Sequence, residues 1–141
     1  MMRKRRRRTK EMLLPLPAVE ARHLSLKHHV ALASLRAGRA DVDAIATVMN
    51  VVYLAFFLRD ANDRDVSPYR AAEAALNAIV ERVRRAQAGE PNDDERAALE
   101  RIVVQHDMQM ATLPKYRLID AWSRLTRIVQ DVGPSPIPAP E

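Results

Sequence analysis

The chain contains no cysteine. That excludes a disulfide scaffold, a thiol nucleophile and any cysteine-ligated zinc or iron–sulfur site. Glycine is nearly as scarce. The three present, Gly38, Gly89 and Gly133, fall at expected helix ends. No material is left for a phosphate-cradling loop or a dinucleotide fingerprint. Six aromatic residues limit any base-stacking platform for single-stranded nucleic acid. The longest uncharged stretch, residues 44–58, has 15 residues, short of the roughly 20 that span a bilayer. Apolar–polar alternation is never sustained, so no strand signal competes with the helical ones.

Acidic residues are missing from the first ten positions, where seven cations crowd together: Arg3, Lys4, Arg5, Arg6, Arg7, Arg8 and Lys10. The formal net charge is +5, yet residues 11–141 hold 16 basic against 18 acidic residues and are therefore −2. The chain reads as a basic arm on a mildly acidic body. Like charges at this density repel, so the arm is expected to be disordered in isolation. Against a polyanion it releases counterions and contacts phosphates without reading sequence. DNA or RNA is the leading partner. An anionic membrane surface, an acidic protein and a solvated tail with no partner stay open as alternatives. The apolar run after the arm imitates a secretory signal, but Pro15 and Pro17 interrupt it and Glu11 and Glu20 bound it. Cytoplasmic location without a membrane span is the expectation.

The periodicity predicts five helices, at about 18–36, 42–60, 67–88, 94–111 and 114–131. Asp41 suits a cap for the second. Ser67-Pro68 reads as a serine cap with proline at the first helical position. Gly38 and Gly89 read as stop signals. The expected organisation is a disordered basic arm and proline connector over 1–17, a helical bundle over 18–132 and a Pro-rich tail over 133–141. That tail has four prolines in nine residues, which implies an extended segment with no packing role. The fold class is all-α, a compact bundle of about five helices.

Residues 44–58 are apolar on nearly every face. Burial as the central helix of the bundle is one reading. The other exposes Tyr53, Phe56 and Phe57 as a homodimer interface, which would place two arms on one particle. The junction at 34–41 imitates a helix–turn–helix. A recognition helix there would offer only Thr47 and Asn50 to base edges, so burial explains its composition better. His23, His28 and His29 lack the three- or four-residue spacing of a helical metal pair. His106 and Asp107 are sequence neighbours, which point apart on a helix. No metal, cofactor or enzymatic motif is expected.

The segments Arg3-Lys-Arg-Arg-Arg-Arg-Thr-Lys10, Leu14-Pro-Leu-Pro17, His23-Leu-Ser-Leu-Lys-His-His-Val-Ala-Leu-Ala-Ser-Leu-Arg-Ala-Gly-Arg39 and Val51-Val-Tyr-Leu-Ala-Phe-Phe-Leu58 resemble small proteobacterial proteins labelled Fis-type transcriptional regulators. The resemblance covers about the first 60 residues and implies a helical DNA-binding regulator. The helix-turn-helix that such proteins carry at the C-terminus is not matched, because residues 122–131 run into the proline tail. Two functions are carried forward. One is a small DNA- or RNA-associated regulatory or accessory protein acting through its arm. The other is a helical protein–protein adaptor or dimeric module, with Ile137 and the tail prolines offered to a partner.

Overall fold

Helix boundaries here follow from local hydrogen-bond chemistry. The computed structural model describes residues 8–130 and 135–139. In chain order the helices are α1 (Lys10–Leu13), α2 (Ala18–Arg36), α3 (Val42–Leu58), α4 (Ser67–Arg84), α5 (Asp93–Thr112) and α6 (Lys115–Gln130). No strand occurs among the described residues. The all-α expectation holds, with six helices in place of five. The extra one is α1, a single turn started by Thr9 at its N-cap.

The Asp41 carboxylate accepts the Ala44 N–H at 2.7 Å and caps α3. Asn92 and Glu95 exchange hydrogen bonds in a capping box that starts α5. At α4 the cap reading changes. Ser67 lies inside the helix, Val66 is the N-cap, and the Ser67 N–H and hydroxyl both donate to Asp65.

Two helices close in the same way. After α2, the Arg39 N–H reaches Ser34 O and the Gly38 N–H reaches Leu35 O, with Gly38 at φ +77°. After α4, the Gln87 N–H reaches Arg82 O and the Ala86 N–H reaches Val83 O. The left-handed residue is then Ala86, at φ 55°. Helix α4 therefore stops before the expected Gly89. That glycine serves a different need, since a Cβ on it would stand 2.9 Å from Val83 Cγ2.

Helix α3 is the hub. It packs against α2, α4, α5 and α6. Val48, Val51, Val52 and Ala55 on it are fully buried among Leu35, Leu76, Ile79, Leu99 and Ile102. This disposes of α3 as a recognition helix. A second, smaller cluster joins Leu54 and Leu58 to Ala121 and Leu125 of α6. None of the described helices is long and apolar enough to cross a membrane.

Both ends of the bundle correct the sequence reading. From Arg8 onward the expected disordered arm is ordered. The Lys115 N–H donates to Leu14 O at 2.8 Å, and Lys115 Nζ stands 3.3 Å from Glu11 Oε1, so α1 sits on the start of α6. Ile137, assigned to a tail with no packing role, is 5% exposed and belongs to the main core. The Ser135 hydroxyl ties the same segment to Glu73 at 2.6 Å. An isoleucine among prolines can bury its side chain without a helix, because prolines lower the entropy lost on ordering the segment.

Two substitutions check these findings through urea-unfolding midpoints. Ile137→Ala lowers stability by about 2 kcal/mol, since it removes buried methyl groups; a tail without a packing role would give no change. Ala86→Gly raises stability by about 1 kcal/mol, since it relieves the left-handed strain.

Candidate functional site

The arm begins on α6. The Arg8 guanidinium lies over the Tyr116 ring, 3.8 Å from its centroid. Lys10 is exposed on α1. Arg3, Lys4, Arg5, Arg6 and Arg7 lie outside the described residues.

Helix α6 carries Lys115, Arg117, Arg124 and Arg127 against one acid, Asp120. Spacings of three and seven put Arg117, Asp120, Arg124 and Arg127 on one face at 3.6 residues per turn. Phe57, Tyr116, Arg117, Asp120 and Arg124 surround a shallow hollow of about 210 Å³. Arg124 rests on Phe57, with Cζ 4.3 Å from the ring centroid. On the neighbouring turn Arg59 rests on Phe56 at 4.1 Å. Aromatic seats hold these guanidinium groups by their faces; Arg59 also donates to Phe56 O at 2.8 Å, while Arg124 keeps its N–H edges for an acceptor.

Four arginines outside α6 are neutralised. Arg82 places two N–H groups on Glu95, at 2.8 and 3.1 Å, and holds that carboxyl below the usual range. Arg36 pairs with Glu100, Arg85 with Glu81 and Arg96 with Asp93. No carboxylate among the described residues pairs with Arg117, Arg124 or Arg127. Arg22, Arg39, Arg59, Arg64, Arg70, Arg84 and Arg101 likewise have no carboxylate partner among the described residues; what sets α6 apart is that its three arginines share one face beside Arg8. The spacing on α6 was readable in the sequence. So were the local pairs Arg85–Glu81 and Arg96–Asp93, whereas Arg36–Glu100 and Arg82–Glu95 were not, since they join different helices.

The candidate interface residues are placed differently from one another. Phe56 is buried and meets Tyr69 edge-on at 5.6 Å between centroids. Phe57 is half-buried beneath Arg124. Tyr53 is half-buried, and its hydroxyl donates to Glu73 at 2.6 Å. Burial and that carboxylate push the Tyr53 phenol well above its ordinary range. The three do not form one open apolar face. Ile137, offered in the adaptor reading as a ligand for a partner, is likewise enclosed.

The histidines assemble in a way their spacing did not suggest. Helix α2 packs on α5, which sets His28 against His106 at 5.5 Å between ring centroids. One residue on, His29 Nε2 and Asp107 Oδ2 stand 2.6 Å apart. Burial lowers the His28 imidazole from 6.5 to about 4, with the nearby His106 adding to the effect. Burial also lowers His106. No group of three or more His, Asp or Glu side chains suited to a metal ion occurs among the described residues.

The His pair makes a pH prediction. Both rings are neutral when folded, while an unfolded histidine gains its proton near 6.5. The unfolded chain therefore binds more protons below that value, and stability falls as pH drops from 6.5 to 5. Ordinary carboxylates are still ionised across that window. Urea midpoints at intervals through it show the decline, and His28→Phe flattens it; an unchanged slope in that variant would place the titration elsewhere.

Comparison of the chain with protein-family profiles, curated proteins and solved structures gives no match.

Proposed function

We propose that this protein is a small helical accessory protein that grips nucleic-acid phosphates with its arginine-rich arm and the cationic face of α6. One observation carries the reading: Arg8 on Tyr116. This contact seats Arg8, the first described residue of the arm, beside the turn of α6 that carries Arg117 and Arg124 around a shared hollow. Guanidinium groups in this arrangement contact phosphate oxygens without selecting bases. Regulation of transcription, which the Fis-type resemblance implies, is one use of such binding.

Charge of this kind gives a salt dependence that can be counted. The arm's seven cations contribute roughly −6 to the log–log slope on duplex DNA, and Arg117, Arg124 and Arg127 bring the total to about −9. Fluorescence anisotropy with labelled DNA and RNA duplexes at several salt concentrations measures it. Removing residues 1–7 takes away five cations, so the slope shrinks by about 4 to 5. Arg117→Gln, Arg124→Gln and Arg127→Gln each reduce it by about 1. Equal affinity and slope for the full chain and the shortened one would overturn the reading and make the adaptor the leading one.

A further inference from the structure

Helix α6 is bound to the bundle chiefly by α3 and α1, and its far edge stands away from α2. A cavity of about 330 Å³ opens there, within the ~300–1,000 Å³ typical of small-molecule sites. Its walls are apolar: Leu24 of α2, Leu54 and Leu58 of α3, Met110 of α5, and Leu118 of α6. Trp122 stands at the mouth, 53% exposed. Glu20 and Lys115 also line the opening. The polar groups of the floor are His28 and His106, which are 8% and 3% exposed.

The protons on those two rings can be assigned from their partners. The Gln109 amide N–H₂ donates to Ala55 O at 3.1 Å, so its Oε1 is the acceptor for His106 Nδ1–H at 2.9 Å. His106 is neutral, and its Nε2 is a bare lone pair. His28 Nδ1 is buried with no partner. Keeping the proton on Nε2 of His28 leaves that orphaned nitrogen as a lone pair and turns the N–H away from it. The charged groups acting on His28 are Asp107 and Lys27, with His29 and His106 as titratable neighbours. One neutral donor and one neutral acceptor therefore sit side by side under an apolar chamber.

We infer that this cavity binds a neutral amphipathic molecule, an aliphatic body ending in a single hydroxyl, whose oxygen accepts from His28 and whose O–H donates to His106. A hydroxyl satisfies both histidines. An ether satisfies only the donor. A carboxylate sets its negative charge against the His106 lone pair and forces proton uptake by a ring that burial keeps neutral. The aliphatic body matches the walls and covers Trp122.

Trp122 is the chain's one tryptophan, so its emission reports directly on the mouth. The test titrates the full chain with 1-octanol, methyl octyl ether and octanoate at pH 7, and follows histidine ring nitrogens by ¹⁵N NMR. The expected result is a saturable blue shift of Trp122 with 1-octanol, affinity roughly tenfold above that of the ether, and movement of the His28 and His106 ring signals without protonation. Leu24→Phe narrows the cavity and weakens 1-octanol while leaving both histidines in place. His106→Phe removes the preference for alcohol over ether. Tighter binding of octanoate with histidine protonation, equal binding of alcohol and ether, or no saturable Trp122 response would each overturn the inference.

Discussion

One constraint organises this molecule: beyond its first turn, α3 has little polar surface to give to water except Thr47 and Asn50. Nearly every side chain from Ala44 to Leu58 is apolar, so most of the helix must be covered, and only Ala46 in that stretch is exposed. Burying a Val, Leu or Phe side chain contributes about 1.5–3 kcal/mol. Covering α3 therefore takes α2, α4, α5 and α6 together. Each of the four contributes a stripe, and the chain ends close what remains. Ile137 completes the main core, and α1 braces α6.

The same constraint explains why α6 carries both a cationic face and a wall of the apolar cavity. The other long helices each pack on at least two long helices, whereas α6 packs on one, α3, and on the single turn α1. Its core face carries Ala121 and Leu125. A second face carries Arg117, Arg124 and Arg127, next to the aromatic seats at Phe57 and Tyr116. A third carries Ile119 and Trp122 toward the gap beside α2. A helix packed on all sides could not display a cationic face and an apolar chamber at once.

Much of the fold was legible in sequence because its signals are local. Asp41 capping α3, Gly38 ending α2 and the uniform apolarity of α3 each act within a few residues or through a simple period. The misreadings have local causes too. Gly89 imitates a helix stop, but Ala86 accepts the left-handed turn and the glycine is needed for its closeness to Val83. The prolines around Ile137 predict an extended segment, and an extended segment can still place one side chain in a core. Thr9 as a cap was overshadowed by the charge of the arm.

The sequence by itself determined the all-α class, the central helix and the concentration of positive charge at the N-terminus. Hydrophobic periodicity, capping and charge density are properties of neighbouring residues, so they need no partner to be read. Only the tertiary structure decided that Arg8 rests on Tyr116, that Arg82 is neutralised by Glu95, and that His28 and His106 share a cavity floor. Those contacts join positions up to 108 apart in the chain. They arise from the way four helices pack around α3, which no local pattern encodes.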